Sequence, residues 1–219
     1  MSLQYEDTIQ QQQIRRRLVE ELHNKGITDP RVLHAINSVP RHLFMKEDQR
    51  GNAYVDKAFP IAAGQTISQP FTVAWQTQLL KIQASDTVLE VGTGSAYQAC
   101  VLASMECEVF SIERQRKLFE NNKKFTYLQN FPNLHLFYGD GYKGLPGYAP
   151  FNKILVTAAA PEMPEELVAQ LAMPGIMVLP LGIGTTQIML RLSKLENGEI
   201  SEEEFGHFSF VPMLRGKKE

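Results

Sequence analysis

The sequence predicts an α/β fold, a doubly wound and mostly parallel sheet preceded by N-terminal helices. Three observations carry this. From Asp86 onward, short apolar runs alternate with stretches of helical periodicity, the pattern of strands covered by helices on both faces. An apolar run (Val88, Leu89, Val91) breaks at Gly92 and Gly94 directly before a helical pattern through Tyr97, Val101 and Leu102. Polar or glycine-bearing segments then recur at the ends of successive strands, where open α/β sheets place their ligands.

Taken in order, a first helix is expected over 4–24, with Ile9, Ile14, Leu18 and Leu22 at helical spacing and Gly26 as its stop. Asp29-Pro30 is a cap and first-turn pair for a second helix over 31–37. From Val39 to about Ser68 the chain carries Pro40, Gly51, Pro60 and Gly64 and reads largely as loop. A helix over 71–80 follows. Strands are expected at 87–91, 107–112, 134–138, 152–157 and 175–180, and helices at 97–104, 114–129 and 164–172. After Pro180 the pattern turns antiparallel, with strands at 187–195 and 205–211 and a turn at Asn197-Gly198. The run Glu202-Glu203-Glu204 reads as a solvated loop. The 219 residues fit one domain, with 1–80 as helices and loop and 81–219 as the α/β core.

Composition narrows the function classes. Apolar residues make up 43% of the chain and charged residues 21%, enough for a real core. A net charge of −2 gives no general attraction to nucleic acid or anionic membrane, and Arg15-Arg16-Arg17 reads as a solvated helix face. Two cysteines, Cys100 and Cys107, sit in apolar contexts and read as reduced core residues. With neither a basic-then-apolar leader pattern nor an 18-residue apolar run, a cytoplasmic protein is expected. The five histidines have no ligand-like spacing, so no metal is expected.

Four segments carry chemistry. The Gly92/Gly94 loop lets backbone approach a nucleotide-like ligand, which leaves open a dinucleotide, S-adenosylmethionine or merely a tight turn. Glu113 ends the second core strand, 21 residues after Gly92, where a carboxylate accepts from ribose hydroxyls or is a plain surface acid. Gly139-Asp140-Gly141 follows the third core strand, where Asp140 could meet an adenine amino group or simply form a turn. Gly64-Gln65-Thr66-Ile67-Ser68-Gln69-Pro70 precedes a helix that Ser68 or Thr66 could cap.

The segments Val39-Pro40-Arg41, Gly64 to Pro70, Val88 to Ser95, Ser111 to Arg114, Gly139 to Gly141, Val156 to Pro161 and Phe210 to Pro212 occur in the order of one known family. Over about residues 10–213 the chain resembles the protein-L-isoaspartate O-methyltransferases of bacterial type. The Gly-Gln-Thr-Ile-Ser segment is the distinguishing one. The resemblance implies a Rossmann-like sheet of the class I S-adenosylmethionine-dependent methyltransferase type, S-adenosyl-L-methionine as cofactor and S-adenosyl-L-homocysteine as its product.

The partners it implies are isoaspartyl-containing proteins and peptides; separately, no nucleic acid and no membrane partner is expected, and the chain is expected to be a monomer. Ser68 matches the active-site serine. Thr66, Ile67, Glu90, Gly92, Gly94, Ser95, Glu113, Arg114, Gly139 and Asp140 match cofactor-binding positions. Thr157, Ala158, Ala159 and the strand end to Ala160, with Val211 and Pro212, match the substrate side. Two departures stand out. Ala96 replaces the third glycine of the loop, and Asn152 replaces a usual aspartate.

An isoaspartyl α-carboxylate, with a pKa of about 3.3–3.7, is already ionised at neutral pH, so the reaction needs no general base. Ser68 is then expected to orient the carboxylate rather than to attack. Three rivals remain at this point: a methyltransferase for small molecules or nucleic acid, a nicotinamide-dependent oxidoreductase, and a non-catalytic reader of damaged sites.

Overall fold

The structure, a computed structural model, describes residues 6–219; the expected helix start at residue 4 lies outside them. Thr8 and Gln11 form a reciprocal capping box that opens α1 (Ile9–Asn24), and Asp29 caps α2 (Pro30–Ser38) through the Arg31 amide. The segment expected to be loop contains three 3-10 turns (Arg41–Phe44, Glu47–Asn52 and Ala62–Gly64) and a two-stranded antiparallel ribbon of β1 (Phe59–Pro60) and β2 (Thr66–Ile67). Helix α3 (Pro70–Leu80) then leads into the sheet.

The sheet elements are β3 (Thr87–Val91), β4 (Glu108–Glu113), β5 (Leu134–Tyr138), β6 (Phe151–Val156), β7 (Leu171–Leu181), β8 (Gln187–Lys194) and β9 (Ile200–Phe208). Helices α4 (Tyr97–Ala103), α5 (Arg116–Lys124) and α6 (Glu165–Ala169) lie between them. Their order is β5-β4-β3-β6-β7-β8-β9, with the first five parallel and β8 and β9 antiparallel additions. The chain runs outward from β3 to β5 and then resumes at β6 on the other side of β3. That reversal opens a crevice at the carboxyl ends of β3 and β6.

Both faces of the central strands are buried. Val88 and Leu155 pack with Leu80 and Met189, whereas Leu89 and Ile154 pack with Leu167 and Leu190. Among the described residues no helix is long and apolar enough to cross a membrane. No three His, Cys, Asp or Glu side chains among them are grouped as metal ligands would be. Both cysteines are buried thiols.

Several expectations are corrected. Arg15 is not on a solvated face. It is buried and donates to both Asp7 carboxylate oxygens (2.9 and 2.8 Å), to the Tyr54 hydroxyl and to Asn37 O. The helix expected over 114–129 ends at Lys124, where Phe125 and Tyr127 turn inward onto Phe44, with ring centroids 5.3 and 5.6 Å away. The helix expected over 164–172 ends at Ala169. There Gln170 turns inward to the Leu145 amide and Lys143 O, and β7 begins at Leu171.

The acidic run 202–204 is edge strand rather than loop, and Glu203 pairs with Arg191 at 2.7 Å. A bulge near Gly206 (φ +83°) inserts one residue into β9. It therefore brings Phe208, not His207, onto Phe71 of α3.

The Asn152 departure is accounted for by position. Its side-chain oxygen accepts from the Thr87 amide and hydroxyl, both at 2.9 Å, so it ties β6 to β3 at the sheet end opposite Gly92. Asn152→Ala is expected to cost about 1–2 kcal/mol in urea unfolding, with S-adenosyl-L-homocysteine affinity by calorimetry unchanged.

Candidate active site

At the crevice, Gly92 adopts φ +102°, and a Cβ there would collide with the Thr157 hydroxyl. That hydroxyl lies 2.7 Å from Gly92 O and 3.0 Å from Val91 O, so the end of β6 is stitched to the loop leaving β3. Beyond it, Gly94 N donates to Glu113 Oε2 at 2.9 Å and Gln115 N to Oε1 at 2.8 Å. Asn122 of α5 donates to Gly94 O at 3.0 Å. Burial raises the Glu113 carboxyl, and these backbone donors work against the rise. Each Glu113 oxygen keeps a lone pair for a further donor such as a ribose hydroxyl.

A cleft of about 550 Å³ opens over this loop. Thr66, Ile67 and Ser68 form one wall. Gly92, Gly94, Ser95 and Glu113 form the floor, and Thr157, Ala158 and Val211 the far wall. A smaller recess shares Gly92 and Ala158 with the cleft and is lined by Ile112, Arg114, Gly141, Pro212 and Met213. The C-terminal tail closes it. Lys218 pairs with Gln115, and Arg114 donates to Gly216 O at 2.9 Å.

Ser68 does not cap α3. The capping position is Gln69, which makes no side-chain cap bond, and the Phe71 amide donates to Asp56 at 2.8 Å. Among the described residues the Ser68 hydroxyl has no hydrogen-bond partner and lines the cleft. Thr66 likewise faces the cleft and caps nothing.

Five expected positions lie off the cavity walls, among them Ala160, which is fully buried and donates its amide to Pro180 O at 2.9 Å. Glu90 is fully buried beneath the loop, bonded to the Ser111 hydroxyl, with Oε1 unpartnered. It reaches the cleft only through Ser111 and Thr93, whose hydroxyls are 2.6 Å apart. Gly139 donates its amide to Glu113 O, and its α-carbon faces Ile112. Asp140 accepts from the Tyr142 and Gly216 amides (3.0 and 2.8 Å), fixing a turn to the tail, and its side chain lines neither cavity. Ala159 pairs by backbone with Val211 and Met213 and seats the C-terminal segment. The other departure, Ala96, is fully buried at φ +68° ahead of α4, so its methyl meets core rather than cleft.

Sequence reading missed Thr93, Tyr97 and Gln98, all of which line the cleft. Gln98 is informative. Its amide nitrogen donates to Thr77 at 3.0 Å while its buried Oε1 has no partner. A cleft with an unpartnered carbonyl, a braced carboxylate and a floor that tolerates no side chain at position 92 fits S-adenosylmethionine. Only the helical phase of Gln98, six residues after Gly92, pointed to it.

Burial pushes the Glu90 carboxyl up to about 8, so it keeps its proton in the folded state at neutral pH. The unfolded chain releases that proton near the ordinary glutamate value. Stability contributed by Glu90 is therefore lost as pH rises from about 4.5 towards about 8. In thermal melts from pH 5 to 8, Glu90→Gln should remove several degrees of the parent's decline in Tm, at about 1.4 kcal/mol per pK unit and 2–4 °C per kcal/mol.

A sequence model of the protein-L-isoaspartate(D-aspartate) O-methyltransferases matches residues 12–218. The chain is 50% identical over 211 residues to a protein-L-isoaspartate O-methyltransferase of Christiangramia forsetii, covering 96% of this chain and 99% of that one. The corresponding protein of Flavobacterium psychrophilum is 48% identical over 211 residues, with the same coverage. Among solved structures, a beta-aspartate methyltransferase from Plasmodium falciparum in complex with S-adenosyl-L-homocysteine superposes with a TM-score of 0.80 at 26% identity. That alignment covers 91% of this chain and 98% of the other. A strand-end glycine loop braced by Glu113, an unpartnered Ser68 across the cleft and a match spanning nearly the whole chain agree: the chain belongs to the protein-L-isoaspartate(D-aspartate) O-methyltransferase family.

Proposed function

We propose that the chain methylates the free α-carboxylate of L-isoaspartyl residues in damaged proteins and peptides, starting their repair through a succinimide, with Ser68 orienting that carboxylate. The observation that carries the reading is the unpartnered Ser68 hydroxyl in a cleft whose described lining includes no lysine or arginine. S-adenosylmethionine, when bound, supplies a methyl group made electrophilic by a positively charged sulfur.

The residues divide by what they hold. Glu113 accepts from ribose hydroxyls, and the Gln98 carbonyl accepts from the cofactor's ammonium. The recess walled by Ile112, Gly141 and Met213, with Arg114 and Pro212 at its edge, takes the adenine. Gly92, Gly94 and Ser95 let the ligand lie against backbone. Glu90, Gly139 and Asp140 support this floor from outside it.

On the substrate side, Ser68 donates to one carboxylate oxygen and leaves the other free to react. Thr157, Ala158 and Val211 form the surface against which the isoaspartyl backbone lies, and Ala159 and Pro212 hold that surface in place. Phe208 and Phe210 exclude water there.

The missing cation has a chemical reason. Methyl transfer removes the carboxylate's negative charge, so a fixed lysine would stabilise the ground state more than the transition state. Neutral donors and a dry wall favour the loss of charge. The near-neutral net charge supports a polypeptide substrate over nucleic acid. The reading includes a cytoplasmic monomer.

Labelled methyl transfer to paired peptides, one isoaspartyl and one aspartyl, tests the substrate class; only the isoaspartyl peptide should take up label, and equal labelling overturns the reading. Ser68→Ala should lower kcat about 10- to 100-fold, the worth of one hydrogen bond to a charged group, while calorimetric affinity for S-adenosyl-L-homocysteine persists. Parallel loss of both would reassign the serine to cofactor binding.

A further inference from the structure

The ribbon that carries Ser68 is closed at its base by a residue outside the cleft. The Asp56 side chain is only 6% exposed and gathers three donors from two distant parts of the chain. Its Oδ1 accepts from the Phe71 amide in the first turn of α3 at 2.8 Å. Its Oδ2 accepts from the Gln69 side chain at 3.1 Å and from Lys25, the residue that ends α1, at 2.7 Å. Asp56 thus does for α3 what Gln69 fails to do, supplying a carboxylate to an orphan amide at the positive end of the helix.

Ser68 lies between two fixed neighbours. On one side Ile67 pairs with Phe59 across the ribbon, and Ile61 N donates to Gln65 O at 2.7 Å. On the other side Gln69 is held by Asp56. The approach to Asp56 is fixed in turn by buried Arg41, which donates to Ala53 O (2.9 Å) and Lys57 O (3.2 Å) on either side of it. The Arg41 guanidinium lies over the ring of Tyr97, which lines the cleft, at 5.2 Å.

We propose that Asp56 is a positioning residue for methyl transfer, a clasp that fixes the Ser68 hydroxyl by joining the two ends of its ribbon to α1 and α3. The proposal rests on the reading of Ser68 as the group that orients the substrate carboxylate. A displacement on the order of 1 Å in an orienting group costs about 100-fold in rate, so a clasp remote from the chemistry still governs turnover.

A double-mutant cycle tests this. Asp56→Ala should lower kcat about 10- to 100-fold in the parent, yet less than about twofold in the Ser68→Ala background, because the group it positions is already gone. An equal fold-loss in both backgrounds, or no loss in the parent, overturns the clasp.

Hydrogen exchange on the free protein separates this from failure of the Ser68 reading. Should Ser68→Ala be silent in turnover, the Ser68 reading falls and exchange alone decides the clasp. In Asp56→Ala the amides of 57–69 should exchange at least about tenfold faster while those of β3 stay protected. Unchanged exchange over 57–69 overturns the proposal. If Asp56→Ala does not fold, Asp56→Asn carries the same measurements. It keeps an acceptor for the Phe71 amide but turns an N–H₂ group towards Gln69 and Lys25.

Discussion

Between the carboxyl ends of β3 and β6, the Thr157 hydroxyl occupies the space that a side chain at position 92 would need. The loop leaving β3 is thereby pressed against β6, and its next turn falls within reach of Glu113 at the end of β4. Gly94, Glu113 and Gln115 then form one hydrogen-bonded unit, anchored from α5 by Asn122. The floor of the cleft is therefore backbone held at three strand ends by hydrogen bonds made within the chain.

The charges are arranged around a reaction that destroys charge. Glu113 is braced by backbone amides at the floor of the cleft, and Glu90 sits neutral below that floor. The walls around Ser68 offer neutral donors and aromatic rings. Two arginines beside the cleft, Arg41 over the Tyr97 ring and Arg114 at the edge of the smaller recess, also brace the chain. Arg41 holds the segment leading to the ribbon, and Arg114 holds the C-terminal tail.

The first 80 residues act on the site from one side. Arg15, Asp7 and Tyr54 form a buried polar knot that fixes α1 against the segment before the ribbon. Buried ion pairs add little net stability, because desolvation offsets attraction, but they set one arrangement over others. Here that arrangement places Lys25 and Asp56 at the foot of the loop that carries Ser68. The tail does the same on the opposite side, where Gly216 and Lys218 tie Asp140 and Gln115 to the wall of the smaller recess.

Local pattern was enough to expect the parallel core, the glycine loop, Glu113 and the antiparallel ending, because each is written in periodicity or spacing within a few residues. Val88, Leu89 and Val91 are a buried strand whatever surrounds them, and Gly92 after them marks a close approach. Contacts between distant segments were not written in that way. Arg15 looked solvated because Asp7 and Tyr54 meet it only in three dimensions, and the acidic run at 202–204 looked like loop because its partner strand, with Arg191, precedes it. Glu90 looked like a cleft residue because sequence gives a side chain's type without its depth. The sequence by itself determined the order of elements and the chemistry on offer at each strand end. Only the tertiary structure decided which of those side chains stay free for a ligand, since that depends on which donors and acceptors folding has already consumed.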